Sequence, residues 1–144
     1  MDKDWEHFEH AADVGVRGFG KTPAEAFANA GRALFALVAE DLAAVKESRE
    51  EKIACRADSL DELFLAFLGE LIWLSDTRHF VFGRFEVAIK EPSPGTYELT
   101  ASAFGEPYDP AHHASTVEPK GATYTALKVT KENERWVAQC VVDV

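Results

Sequence analysis

Two acidic groups stand side by side at the end of the chain, the side chain of Asp143 and the α-carboxylate of Val144. Carboxyl groups of both kinds are ionised near neutral pH. Two anions on one strand end repel each other unless a cation or a basic side chain lies between them. A third carboxylate, Asp13, stands at the junction of two predicted strands. The three groups predict an oxygen-ligand site for a hard divalent cation such as Ca²⁺, Mg²⁺ or Mn²⁺.

Each of these residues also has a structural interpretation. Asp13 is of a type that often caps a turn through local N–H groups. Lys120 precedes a predicted strand, where it would neutralise the carboxylates, contact a phosphate as a point charge, or stay exposed without a partner. His10 is of a type that titrates near neutral pH, although a single histidine is more often structural. The residues alone leave these alternatives open.

A histidine-containing segment, residues 105–119, raises the question of zinc. It carries Glu106, His112 and His113 together with several prolines. A zinc site needs well-spaced ligands, and in a strand adjacent residues point to opposite faces. We therefore predict a solvated loop here. The sequence also has no glycine-rich phosphate loop, no Gly-x-Ser-x-Gly, no Cys-x-x-Cys and no His-Glu-x-x-His motif. These absences favour a binding or helper protein over an enzyme.

Two capping signals place the helices. Thr22 followed by Pro23 predicts a helix start, and the helix should run to about Val38. Ser59 begins a second capping box, whose helix should end around residues 75–76 and carries a broad apolar face. Both helices need a sheet to cover their apolar faces.

The predicted strands surround these helices. They are expected at residues 5–9, 14–19, 53–57, 80–89, 97–103, 122–130 and from 135 onward. Strands 80–89 and 97–103 are predicted to form a hairpin with a turn at residues 91–95. Strand 122–130 and the strand from 135 onward are predicted to form another, with a turn at residues 131–134. These elements predict an α+β fold, a two-layer sandwich with two helices on a largely antiparallel or mixed β-sheet.

Length and composition limit the function. A chain of 144 residues fits one domain, residues 1–144. The net charge of −10 disfavours unaided nucleic-acid binding. Cys55 and Cys140 match no metal-ligand spacing and read as reduced thiols, which favours the cytoplasm. We expect no signal peptide behind Met1, and no apolar run is long enough to cross a membrane.

Ordered motifs along the chain resemble the archease family. The segments that carry the resemblance are 9–15, 20–22, 25–27 with Ala30, 61–63, 68–74, 84–85, 105–106, 120–124 and the closing Asp143-Val144. Each segment alone is weak evidence for the family, but the ordered set that ends in an Asp-aliphatic pair is specific to it. The family usually has Thr at position 11 or 12, Ala at 121, His at 125 and Ile at 144. None of these departures removes an acid or the lysine.

The resemblance implies a function. Archeases assist the RtcB-type GTP-dependent tRNA-splicing ligase by promoting guanylylation of its active-site histidine and multiple turnover. By position, Asp13 and Asp143 match the family's metal-binding acids, Val144 supplies a backbone or terminal oxygen, and Lys120 matches its functional lysine. His10 and Glu106 match further motif positions. An alternative is a chaperone-like modulator of a tRNA methyltransferase.

Overall fold

The computed structural model describes residues 3–114 and 117–144. Within them, the order of elements alternates strands with two long helices. Their bounds are β1 Trp5–His10, β2 Asp13–Gly20, α1 Pro23–Phe35, a 3₁₀ helix Leu42–Ala44, β3 Arg49–Ala57, α2 Leu60–Arg78, β4 Phe80–Ser93, β5 Thr96–Pro107, α3 Pro110–His113, β6 Gly121–Ala122, β7 Lys128–Glu132 and β8 Arg135–Asp143. The predicted α+β class is confirmed.

The described strands form two antiparallel sheets where one was expected. The larger sheet has the order β1-β2-β8-β6, and β7 also pairs with β8. The smaller sheet has the order β3-β5-β4. Helix α1 packs against both β2 and β4, and so it joins the two sheets. Buried side chains from both helices and both sheets form one hydrophobic cluster.

The predicted helix starts are confirmed. Thr22 Oγ1 accepts the backbone N–H of Glu25 at 3.1 Å. Ser59 Oγ accepts the N–H of Glu62 at 3.1 Å. These two caps satisfy N–H groups that have no partner inside a helix. Helix α1 ends at Phe35, earlier than the sequence predicts, and the chain continues to Ala39 in hydrogen-bonded turns.

Helix α1 lies unusually close to β2. A Cβ atom on Gly18 would overlap the backbone of Ala26 and Ala30. The small side chains on this face of α1 are fully buried. His7 of β1 adds a side-chain contact, with Nε2 2.7 Å from the carbonyl oxygen of Ala33. Helix α1 therefore packs directly against both β1 and β2 of the larger sheet.

Two other predictions about strands need correction. Residues 122–130 are not one strand: β6 stops at Ala122, and β7 begins at Lys128. In addition, β5 continues to Pro107, into the segment that was predicted to be a loop. Among the described helices, none is long and apolar enough to cross a membrane.

Candidate metal site at the end of the larger sheet

The turn between β1 and β2 carries the first acidic residue of the site. His10 and Asp13 are paired across this hairpin, and Ala11 between them has a φ of 52°. Paired residues of an antiparallel hairpin share one face of the sheet. Asp13 Oδ1 accepts the backbone N–H of Val144 at 3.3 Å. Asp13 therefore connects the hairpin turn with the end of the chain.

The end of β8 brings the second acidic residue to the same place. The register of β2 and β8 pairs Val14 with Val142, and one further step puts Asp13 opposite Asp143. Directly opposite residues in an antiparallel pair have Cβ atoms about 4.5–5.5 Å apart. The predicted juxtaposition of Asp13 with the Asp143-Val144 end is thus present in the fold.

Lys120 reaches this end of the sheet through its backbone. Its N–H donates to the carbonyl oxygen of Asp143 at 2.8 Å, and the next residue, Gly121, pairs with Asp143 in the sheet. The Lys120 side chain is exposed. We refer to Asp13, Lys120, Asp143 and Val144, with His10 beside them, as the acidic tip.

The acidic side chains of the tip form no ion pairs within the described part of the chain. There, no salt bridge involves Asp13, Lys120 or Asp143. Asp13 is half-buried and Asp143 is exposed. Carboxylate and carbonyl oxygens are the donors that Ca²⁺, Mg²⁺ and Mn²⁺ prefer. The donor set of the acidic tip therefore fits a hard divalent cation.

Glu106 lies elsewhere in the fold. It belongs to β5 of the smaller sheet, where it is paired with Val81 of β4. Its Oε2 accepts the backbone N–H of Lys46 at 2.9 Å and is 3.0 Å from Nε2 of His113. None of its hydrogen-bond or ion-pair partners within residues 3–114 and 117–144 belongs to the acidic tip. The structure thus separates Glu106 from the other candidate residues.

The prediction of a solvated loop at residues 105–119 is wrong for His113. Asp109 caps a short helix by accepting the N–H of Ala111 at 3.0 Å. The helix turns the His113 side chain inward, where it is only 1% exposed and stacks on Tyr108. His112 and His113 lie in a helix and not in a strand, so the two side chains do not have to point to opposite faces.

Glu106, His112 and His113 place nitrogen and oxygen atoms within 4.8 Å of one another, but their hydrogen bonds do not favour a metal. His113 Nδ1 accepts the N–H of Asp109 at 2.8 Å, so in the neutral ring Nε2 carries the proton that is donated to Glu106. His112 Nε2 faces the carbonyl oxygen of Ala44 at 3.2 Å, which also requires a proton. To bind a metal, each histidine would need an unprotonated ring nitrogen whose lone pair is not used in a hydrogen bond. The cluster instead holds together the segments around Lys46, Glu106 and His113.

A buried polar residue of β8 escaped the sequence analysis. Gln139 is 6% exposed and makes two side-chain hydrogen bonds. It is the amide within an otherwise apolar run, residues 136–142. A single amide in an apolar strand is expected to be buried and hydrogen-bonded. Its position in the sequence is therefore the signal that points to such a residue.

These features describe a small acidic α+β protein with an oxygen-rich site at one end of its larger sheet. A model of the Archease protein family matches residues 5–144. The chain belongs to the archease family.

Relatives and solved structures agree with this assignment. The chain is 38% identical to protein archease of Pyrococcus furiosus over 143 residues, 99% of each chain. It is 40% identical to that of Thermococcus kodakarensis over 144 residues, again 99% of each. The structure resembles protein 1598 of Methanobacterium thermoautotrophicum with a TM-score of 0.86 and 27% identity, covering 98% of this chain and 99% of that one.

A more distant structure shares the fold. The archease of Thermotoga maritima, which is described as a possible chaperone, matches with a TM-score of 0.56 and 18% identity. The match covers 100% of this chain and 98% of that one. At this identity, the likeness supports the fold alone.

Proposed function

We propose that this protein is a metal-binding accessory protein that activates an RtcB-type GTP-dependent tRNA-splicing ligase. It would promote guanylylation of the ligase's active-site histidine and multiple turnover. The observation that carries the proposal is the hydrogen bond between Asp13 Oδ1 and the N–H of Val144. This bond unites two acidic segments from opposite ends of the chain. Membership of the archease family supports the same proposal.

The acidic tip has the chemistry for such a role. Asp13, Asp143 and an oxygen of Val144 would hold a divalent cation, which supplies charge neutralisation at a triphosphate. Lys120 would contact a phosphate oxygen as a point charge. Transfers at phosphorus depend mainly on positioning and on charge stabilisation. The tip is thus suited to enter a basic, nucleotide-containing site on the ligase.

The charge and the cysteines support a protein partner in the cytoplasm. A net charge of −10 repels RNA phosphates, so we propose that the protein acts on the ligase and not directly on RNA. Cys55 and Cys140 are free thiols, as is usual for proteins of reducing compartments.

The decisive experiment is a guanylylation assay. Purified ligase, GTP and a divalent metal are incubated with and without this protein, and the ligase–nucleotide adduct is quantified. We expect Asp13→Ala and Asp143→Ala to abolish the stimulation. Glu134→Gln is the matched control, because Glu134 is an exposed carboxylate next to the other end of β8. Full stimulation by a folded Asp13→Ala protein would contradict the proposal.

A second candidate is a chaperone-like modulator of a tRNA methyltransferase. The observation that favours it is Trp73 on α2, which is 54% exposed and offers an apolar contact away from the capped helix start. In this case, Trp73→Ala would remove the ability to suppress aggregation of a purified tRNA methyltransferase, followed by light scattering. Asp13→Ala would leave that ability intact. The reverse pattern would assign the contact to the acidic tip and not to Trp73, and a wild-type protein that does not suppress aggregation would exclude this role.

A further inference from the structure

The amide of Gln139 is oriented by two different partners. Its Oε1 accepts Nε–H of Arg17 at 2.7 Å, and its Nε2 donates to the carbonyl oxygen of Ala126 at 3.0 Å. An arginine side chain only donates and a carbonyl oxygen only accepts, so these two partners allow one orientation of the Gln139 amide. A buried amide with both ends satisfied is held firmly. Gln139 thus connects β2, β8 and the segment before β7.

Arg17 is itself held in place. It makes an ion pair with Glu6 of β1, and its guanidinium lies over the ring of Phe8, 4.4 Å from the centroid. Residues 6, 8 and 10 of β1 pair with residues 17, 15 and 13 of β2, so all six share one face of the sheet. The chain of contacts from Glu6 through Arg17 to Gln139 therefore runs on the face that carries His10 and Asp13.

The segment that Gln139 holds interrupts the edge of the sheet. We call residues 123–127, between β6 and β7, the edge loop. The N–H of Thr123 donates to the carbonyl oxygen of Val141 at 3.0 Å, and the N–H of Val141 donates to that of Thr125 at 3.0 Å. Ala126 adopts a φ of 55°, a conformation that an L-residue keeps only when its surroundings hold it.

The edge loop presents an exposed aromatic side chain, and the backbone of the loop is bonded to β8 close to the acidic tip. Tyr124 is 68% exposed, and its hydroxyl donates to Glu62 Oε2 at 3.2 Å. The loop follows Lys120 by three residues and is bonded to Val141, two residues before Asp143. Exposed tyrosines on rigid segments are favourable contacts for a protein partner, because little conformational entropy is lost on binding.

We propose that Gln139 is a positioning residue that holds the edge loop beside the acidic tip, so that Tyr124 contacts the same protein partner that the tip engages. The identity of this partner rests on the function proposed above. The positioning itself rests on the two hydrogen bonds of Gln139 and on the conformation of Ala126.

Two substitutions separate the two bonds. Gln139→Glu keeps an acceptor for Arg17, with which it forms an ion pair, but loses the donor to Ala126. Gln139→Met keeps the volume and loses both bonds. In the free protein, hydrogen exchange should become about tenfold faster or more at the Thr123, Leu127 and Val141 amides in both variants. The amides that pair β2 with the rest of β8 should exchange at the wild-type rate in Gln139→Glu.

The guanylylation assay supplies the functional readout. As this protein is titrated, Gln139→Glu and Tyr124→Ala should each raise its half-saturating concentration about tenfold, with the maximal stimulation unchanged. Asp13→Ala should instead lower the maximal stimulation to zero. Combining Gln139→Glu with Tyr124→Ala should add little to either alone, because both act through the same contact.

The outcomes distinguish this inference from the proposed function. Wild-type exchange of the edge loop in both Gln139 variants overturns the positioning role. In an assay where Asp13→Ala lowers the maximal stimulation, the half-saturating concentration of Tyr124→Ala decides the contact. If that concentration equals the wild-type value, Tyr124 does not contact the partner, while the proposed function stands. If Asp13→Ala stimulates fully, the proposed function fails, and the exchange measurement alone still decides whether Gln139 positions the loop.

Discussion

Asp13 Oδ1 accepts the backbone N–H of Val144 at 3.3 Å, across a separation of 131 residues. This bond uses one carboxylate oxygen of Asp13. In the described ranges 3–114 and 117–144, no protein group forms a hydrogen bond or an ion pair with the other oxygen. The same side chain thus has a structural contact and an oxygen available for a cation, and the two roles can be separated by substitution.

Asp13→Asn should separate them. The amide oxygen can still accept the N–H of Val144, so the thermal midpoint should change little. The lost charge should weaken binding of Ca²⁺, Mg²⁺ or Mn²⁺ to the isolated protein by roughly 10–100-fold or more, measured by titration calorimetry. Glu134→Gln is again the control and should bind as the wild type does. Equal affinity of Asp13→Asn and wild type would show that the charge of Asp13 does not contribute to cation binding.

Gly18→Ala should destabilise the fold. The new methyl group would overlap the backbone of Ala26 and Ala30, which cannot move away as a flexible side chain would. We expect the free energy of unfolding to fall by about 2–3 kcal/mol or more. The measurement is urea denaturation followed by circular dichroism.

Gly69→Ala is the matched control for Gly18→Ala. Gly69 lies inside α2, and nothing lies within 4 Å of its added Cβ. Its substitution should stabilise the protein by about 1 kcal/mol, because alanine favours a helix over glycine. If both substitutions changed the free energy of unfolding equally, the close contact between α1 and β2 would not be the cause of the destabilisation by Gly18→Ala.

Glu106→Gln should change stability in a pH-dependent way. Burial alone raises the pKa of Glu106, but hydrogen bonds from His113 and the Lys46 N–H hold it below its ordinary value of 4.5. A carboxyl with a lowered folded-state pKa stabilises the fold above its unfolded pKa, and that contribution is lost as the pH falls through the folded value.

At pH 7, Glu106→Gln should therefore lower the free energy of unfolding by about 1–2 kcal/mol. The difference from the wild type should shrink as the pH falls below about 4.5. Urea midpoints between pH 7 and pH 3 test this. A difference that stays constant over that range would show that the charge of Glu106 is not what stabilises the segments it joins.

The two thiols should react slowly in the folded protein. Burial raises the pKa of Cys140 to about 12, and burial together with the charge of Glu70 raises that of Cys55 to about 11. At pH 8, the thiolate fraction of each is then roughly 0.1% or less. Iodoacetamide should label both at least about 100-fold more slowly in buffer than in urea, followed by mass spectrometry. Rapid labelling of folded Cys140 would contradict its burial.

The sequence predicts what short-range chemistry determines. The caps at Thr22 and Ser59 depend on residues three positions apart, and both are confirmed. The alternation that predicts strands 80–89 and 97–103 reflects one buried face, and both form a hairpin. These features depend on neighbours along the chain, so a single sequence is enough to find them.

Contacts between different structural elements explain what the sequence did not predict. The edge loop interrupts a predicted strand because Gln139 and Val141 bind it across the sheet. His113 is buried because its partner Glu106 lies seven residues away on β5, a contact that periodicity does not reveal. The acidic tip was predicted as a set of residues, but only the register of β2 with β8 brings Asp13 opposite Asp143.

The central position of β8 also has a consequence for protein synthesis. β2 is made early, yet its partner on one side is β8, residues 135–143, which also supplies the pairing for β6 and β7. During translation, β2 must wait with an open edge until β8 has left the ribosome, since a domain folds only when its distant segments are available. The acidic tip then forms with the last strand of the larger sheet, so a chain that stalls before β8 cannot present the site.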